Sequence, residues 1–308
     1  MTPSNDRSTG GMTGRVIRAF GKTFVVLADG REYLCDVLAR VKQDKHETPV
    51  AVGDIVDFQL VSAAAGAIEA VQPRRSKFSR PRVGLEASEQ VIVANVDQMV
   101  IVVSAAQPSF KQHLIDRFSV AAFKGGLRPV VVINKIDLEH QVDLSRMKTI
   151  YQSVGMPLVT TSCVDNLGAE ELRALLADRE SIFVGHSGTG KSSLLNLIQP
   201  GLKIRTGEVS RATNKGIHTT TNVELYPLHG GGFVADTPGL KILGIWDLER
   251  DELQEHFPEF VAFRDRCRFR RCSHLHEPEC AVQQAVTEGV IFLERYSSYR
   301  QIYESLPR

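Results

Sequence analysis

Hydrophobic and polar residues alternate in short runs through the first quarter of the chain. The stretch TFVVLADGREYLCDVL (23–38) holds two β-rich runs about Asp29-Gly30, a pair favoured in tight hairpin turns. DIVDFQLV and GAIEAV supply further short strands. Several strands with no helix between them predict a small β-barrel, and the oligonucleotide-binding (OB) type is expected. From Val91 the pattern changes. QMVIVVSAA, RPVVVINK, MPLVTTS and SIFVG are near-continuous apolar runs. Between them lie HLIDRFSVAAFKGG, with Leu114, Phe118 and Ala122 at helical spacing, LSRMKTIYQSVG and GAEELRALLAD. Such alternation predicts a largely parallel sheet covered on both faces. From Asp247 the chain reads as polar and helical, interrupted by a cysteine cluster. The expected organisation is a disordered tail (1–13), a barrel with a basic linker (14–82), an α/β domain (83–246) and a helical metal-binding domain (247–308).

Composition changes this picture little. Hydrophobic residues make up 43% and charged residues 24%, which is ordinary for a globular chain. A net charge of +1 carries no global nucleic-acid signal, so any RNA contact must come from local patches. One candidate is PRRSKFSRPR (73–82), with Arg74, Arg75, Lys77, Arg80, Arg82 and Phe78 but no acid. It reads either as a track for a phosphate backbone or as a solvated linker. The polar start has no secretory pattern, and no apolar run reaches membrane-spanning length. A cytoplasmic setting without membrane contact is therefore expected. Reduced thiols there favour a metal site for Cys267, Cys272 and Cys280, three of the five cysteines.

The segment Gly185-His186-Ser187-Gly188-Thr189-Gly190-Lys191-Ser192 fits the phosphate-loop pattern G-x-x-x-x-G-K-[ST], followed by Ser193. Its glycines let backbone N–H groups face phosphate oxygens at a helix N-terminus. Lys191 would reach the β- and γ-phosphates and Ser192 would bind Mg²⁺. Downstream, GGFVADTPGL ends a strand at Asp236. This carboxylate would hold Mg²⁺ through water, and the Gly239 N–H would sense the γ-phosphate. The Thr-rich GEVSRATNKGIHTTTNVELY between them suits a switch loop, with Thr220 chosen as the Mg²⁺ ligand. Thr219 and Thr221 stay open, because spacing does not separate them.

Asn134-Lys135-Ile136-Asp137 follows an apolar strand. The Asp137 carboxylate matches the two donors on the guanine edge, which adenine lacks. A buried, unpaired carboxylate would reject adenine by about 10⁴ or more. Asn134 would brace the loop, and the Lys135 stem would pack on the ring. Ser162 and Cys163, ending the run TTSC, would offer a backbone N–H near guanine O6.

The base reader thus precedes the phosphate loop, the reverse of a typical small GTPase. The cyclic order of motifs is preserved, so the fold expected is a circularly permuted P-loop GTPase domain. The chain then passes straight from the second switch into the last domain, which would couple nucleotide state to that domain. There, Cys267-x4-Cys272-x-His274-x5-Cys280 has the ligand set of a closed structural zinc site, with His276 as a possible substitute. Arg264, Arg266, Arg268, Arg270 and Arg271 crowd it and form a candidate rRNA contact.

Taken together, the HTTT switch, the DTPG motif and the cysteine pattern resemble the ribosome small-subunit-dependent GTPase A family over nearly the whole chain. The resemblance implies an OB-fold N-terminal domain, binding to the 30S subunit and its 16S rRNA, and GTP hydrolysis stimulated by that subunit in late maturation. It favours His274 over His276 as a ligand, and a monomer is expected. Leu240 stands where many GTPases carry a water-orienting Gln, so slow intrinsic hydrolysis is expected. His218, beside the switch threonines, is the internal candidate for positioning water, and the resemblance points to it too. Two rival readings are a permuted GTPase serving another RNA particle and a non-catalytic, GTP-gated RNA-binding protein.

Overall fold

The computed structural model describes residues 11–39, 41, 47–82, 88–202, 223–236, 245 and 247–307. Five strands build the N-terminal barrel: β1 (Met12–Phe20), β2 (Thr23–Ala28), β3 (Arg31–Val37), β4 (Ile55–Leu60) and β5 (Ala65–Val71). They pair in the order β1-β2-β3-β5-β4, and β4 returns to β1 to close the ring. The β3–β5 pairing is parallel and the others are antiparallel. Asp29 and Gly30 both take positive φ, as the β2–β3 turn requires. Alternate residues point inward, so Val26, Tyr33, Cys35, Phe58 and Ile68 fill the interior. Burial there pushes the Cys35 thiol pKa up to about 11, the behaviour of a small hydrophobe.

The segment expected as a basic linker or phosphate track is not a solvated linker. Residues Lys77–Pro81 form strand β6, paired with β7 (Glu89–Ala94). Phe78 is buried in the core. Arg74 pairs with Asp54 at 2.8 Å and with Glu47 at 2.6 Å; Lys77 pairs with Glu47 and Glu89. Arg75 binds Asp97 and Glu180. The acids missing from the local sequence arrive from distant positions, and the charges fasten the barrel to the α/β domain.

That domain contains β8 (Gln98–Ser104), α1 (Gln112–Lys124), β9 (Arg128–Asn134), α2 (Leu144–Ser153), β10 (Leu158–Thr161), α3 (Ala169–Leu176), β11 (Arg179–Val184), α4 (Lys191–Ile198), β12 (Glu224–Pro227) and β13 (Gly232–Asp236). Its strand order is β10-β9-β8-β11-β13-β12, parallel except for β12. The end of the expected switch loop is thus strand β12, held antiparallel to β13. Met99, Ile101, Val131 and Ile133 meet α1 and α2 on one face. Val100, Val102, Val130 and Val132 meet α3 and α4 on the other. This explains why these strands read as unbroken apolar runs. One pairing, Arg18 with Glu224, joins β1 to β12 and makes the barrel continuous with the sheet.

The C-terminal region has three short 3-10 turns between Leu253 and Arg266, then α5 (Ala281–Thr287) and α6 (Leu293–Ser305). It shares its core with α1 and α2. Arg295 on α6 is buried between Asp116 on α1 and Glu259, 2.7 Å from the latter. Its guanidinium lies 4.8 Å from the Phe257 ring centre. Burial opposes its charge, but Asp116 and Glu259 outweigh that and hold its pKa above the ordinary arginine value. Arg295→Leu should therefore cost about 3–5 kcal/mol, because two carboxylates lose their cation and Asp116 is left in a dry interface. Urea denaturation measures this; a loss below about 1 kcal/mol would contradict the role given to this pair.

Candidate nucleotide-binding site and metal centre

Strand β11 delivers the chain to the phosphate loop, and α4 begins at its end. Gly185, Gly188 and Gly190 have φ of +144°, +82° and +94°. A Cβ on Gly185 would meet the Val102 carbonyl at 2.1 Å, and one on Gly190 would meet Asn134 Nδ2 at 2.3 Å. Glycine is needed at both for conformation and for space. His186, Ser187 and Gly188 form the exposed tip, while Thr189 is buried and its Oγ1 donates to the His186 carbonyl at 2.9 Å. Lys191 is buried, and its ammonium donates to the Gly185 and His186 carbonyls at 2.7 and 2.9 Å. The cation thus lies over the curled backbone, where a phosphate chain would be gripped. Ser192 is half-buried in the first turn of α4, and Ser193 is exposed.

Asn134 ends β9 and is buried. Its Nδ2 donates to the Thr189 carbonyl at 2.9 Å. Its Oδ1 accepts a 2.9 Å hydrogen bond from Thr161 Oγ1 at the end of β10. Both halves of one amide are therefore used to join the base loop, the phosphate loop and the TTSC loop. Lys135 adopts φ +62° and donates from Nζ to the Gln107 carbonyl at 2.6 Å, which holds its stem along the base side. The Ile136 N–H donates to the Thr161 carbonyl at 3.3 Å. Ser162 is buried and hydrogen-bonds Asp165; Cys163 is half-buried with its thiol pKa raised by burial.

Asp137 departs from expectation. It is exposed, so its carboxylate is not held dry in advance. Asp236 ends β13, whose register sets it opposite Phe183 of β11, one residue short of Val184. The candidates His218, Thr220 and Gly239, together with Thr219, Thr221 and Leu240, lie outside the described residues.

Cys267, Cys272, His274 and Cys280 converge, their ligand atoms all within 4.8 Å of one another. His274 Nδ1 is 3.6 Å from the Cys267 sulfur and 3.3 Å from that of Cys280; the two sulfurs are 3.9 Å apart. Tetrahedral zinc would hold such ligands roughly 3.5–3.8 Å apart, so the donor set and spacing fit that ion. Gln254 Oε1 lies 2.9 Å from His274 Nε2, which assigns the proton to Nε2 and turns Nδ1 to the thiols. His276 is exposed and is not part of the cluster.

A profile of the family described as RsgA GTPase matches residues 71–246. The chain belongs to the RsgA GTPase family. A small ribosomal subunit biogenesis GTPase RsgA from Caldanaerobacter subterraneus subsp. tengcongensis is 40% identical over 286 residues, 93% of this chain and 92% of that protein. The same-named protein of Chlorobaculum parvum is 40% identical over 305 residues, covering 96% and 98%. Among solved structures, YjeQ from Thermotoga maritima superposes with a TM-score of 0.79 at 35% identity, covering 96% of this chain and 99% of that one. YloQ, described as a circularly permuted GTPase, gives 0.74 at 30% identity, covering 99% and 100%. The resemblance seen in the motifs is borne out, as are the permuted order and the barrel.

Like other RsgA GTPases, this chain is a GTP-hydrolysing enzyme, and its site contains residues that motif reading passed over. Thr161, which locks the Asn134 amide, was visible only as one of two threonines before Ser162. Gln254, which orients His274, lies in a polar run with no signal at all. Asn134→Ala should leave the Thr189 carbonyl and the Thr161 hydroxyl unpaired, at about 1–3 kcal/mol each. GTP affinity should fall by at least about tenfold, and Thr161→Val should weaken it less, because only one bond is lost. Fluorescent-nucleotide titration of the two variants reads the order.

Proposed function

We propose that this RsgA-family GTPase acts in biogenesis of the small ribosomal subunit. It binds the 30S particle and its 16S rRNA late in maturation and hydrolyses GTP under stimulation by that particle, as a cytoplasmic monomer. The reading rests on the union of base loop and phosphate loop through Asn134, in a chain whose relatives over more than nine-tenths of its length bear that role in their names. The barrel (14–82) and the cysteine-bearing domain (247–308) serve as the two grips, with the permuted domain (83–246) between them as the timer.

Guanine lies along the Lys135 stem, with Asp137 on its edge, Ile136 beside it and the Ser162–Cys163 backbone at O6. The loop from Gly185 to Ser193 cradles the phosphates, and Lys191 neutralises charge that develops on the β–γ bridge. Ser192 and Thr220 would hold Mg²⁺, with Asp236 as a ligand through water, and the ion would supply further charge neutralisation; the Gly239 N–H would report the γ-phosphate. With Leu240 in place of a water-orienting side chain, His218 orients the attacking water. Zinc on Cys267, Cys272, His274 and Cys280 would be structural, since four protein ligands would leave no open position.

Turnover measured with and without small subunits tests this function. Slow hydrolysis alone and a rise of roughly 10-fold or more with the subunit are expected, as for sites that a partner completes. Equal rates in both conditions would remove the subunit from the mechanism. In His218→Ala, stimulated turnover should fall at least about tenfold with GTP affinity kept, the lower end for loss of a positioned group. Mass spectrometry of the native protein should find one zinc per chain, and Cys272→Ser should lower that content and the thermal midpoint together.

A further inference from the structure

The arginines around the cysteine cluster do not act alike. Arg268 is paired with Glu279, and Arg266 lies over the Phe263 ring at 5.6 Å. Arg270 and Arg271 instead line a small cavity, and neither forms a hydrogen bond or ion pair with another described residue. Arg250 joins them from a distant part of the sequence. Its guanidinium donates to the Leu306 carbonyl at 2.8 and 3.2 Å and packs 5.1 Å from the Tyr303 ring centre, so it is held in place. Tyr299 and Tyr303 form the apolar wall, and Asp251 is the single carboxylate on the lining.

Three guanidinium groups against one carboxylate leave the cavity positive. Its volume is about 40 Å³. A water takes roughly 10–15 Å³ on this measure, so a small tetrahedral oxyanion fits and a nucleobase does not. The walls are braced from behind by the metal cluster's own neighbours. Tyr299 donates its hydroxyl proton to the Ser273 carbonyl at 2.9 Å, and Gln254, which also lines the cavity, is hydrogen-bonded to His274. Arginine forks match phosphate oxygens in geometry as well as charge.

We propose that this cavity is a phosphate subsite, in which Arg250, Arg270 and Arg271 grip one phosphodiester of RNA. The RNA source rests on the small-subunit role proposed above, whereas the phosphate chemistry rests on the cavity alone. The cysteine cluster then acts as the rigid mount that fixes Arg270 and Arg271 beside Arg250.

The test uses the full chain carrying Arg270→Ala and Arg271→Ala together, with Arg268→Ala as the control because that side chain is already paired. Probes are small ribosomal subunits, a short RNA hairpin and inorganic phosphate. The double variant should bind subunits and hairpin at least about tenfold more weakly at 0.15 M salt. Its plot of log affinity against log salt should be shallower by about 1. The control should match wild type, and GTP affinity and thermal midpoint should be unchanged in both. Arg270→Lys with Arg271→Lys should recover only part of the loss, which separates a phosphate fork from a merely structural role. If calorimetry shows inorganic phosphate binding lost in the double variant while RNA binding persists, the source is free phosphate. If none of the three probes distinguishes the double variant from wild type, the subsite is overturned. If wild type binds no subunit, the small-subunit role fails, and the inorganic phosphate titration still decides the cavity.

Discussion

Asn134 spends both ends of one side-chain amide on backbone geometry. Its Nδ2 holds the Thr189 carbonyl of the phosphate loop, and its Oδ1 takes the Thr161 hydroxyl. The bonds are buried, so neither competes with water, and each would leave a costly orphan if broken. Three loops from three parallel strands are thereby held at fixed separation. Gly190 follows from the same contact, since any side chain there would strike the Asn134 amide. A guanine nucleotide needs a fixed distance between its base edge and its phosphates. One amide joins the loops that set that distance, and it does so whichever loop comes first in the chain.

Permutation also changes what surrounds the site. The helix α1 touches the nucleotide region at one end, where Lys111, Leu114 and Phe118 line a cavity with Gly185, His186 and Thr189. Its middle carries Asp116, the partner of Arg295 on α6. Lys124 at its last turn pairs with Glu252 of the C-terminal region at 2.8 Å. One rigid helix therefore contacts both the phosphate loop and the cysteine-bearing domain. On the far side, Arg15 and Arg75 meet Glu180 of β11, so the strand feeding the phosphate loop is also tied to the barrel. The flanking modules are thus fastened to the elements that lead into the phosphate loop, which is a physical route between those modules and that loop.

The linear sequence left two charged clusters unresolved for one reason. Between Pro73 and Arg82 the chain shows cations without acids, yet Asp54, Glu47, Glu89, Asp97 and Glu180 arrive from other segments to pair with Arg74, Arg75 and Lys77. Around the cysteines, five arginines look equivalent in the sequence, but the fold pairs Arg268, stacks Arg266 and leaves Arg270 and Arg271 at a cavity. Charge partners are set by proximity in space, and a run of like charge does not reveal whether its partners are absent or merely distant.

Local chemistry was enough to determine the phosphate loop, the Asn-Lys-x-Asp loop, the alternation of buried strands with helices, the barrel and the cluster of three cysteines with a histidine. Each depends on backbone conformation or ligand type within a short segment: φ above zero at Gly185 and Gly190, period-two burial in β2 and β3, thiols and an imidazole within fourteen positions. Only the tertiary structure decided that Thr161 locks Asn134, that Gln254 orients His274, that Asp116 and Glu259 enclose Arg295, and that Arg250 meets Arg270 and Arg271. It also decided that Asp137 waits exposed and that residues Lys77–Pro81 form a strand. The side-chain partners among these lie 20 to 179 residues apart. A single sequence read segment by segment records what each residue can bind, while the packing of distant segments chooses which partner it receives.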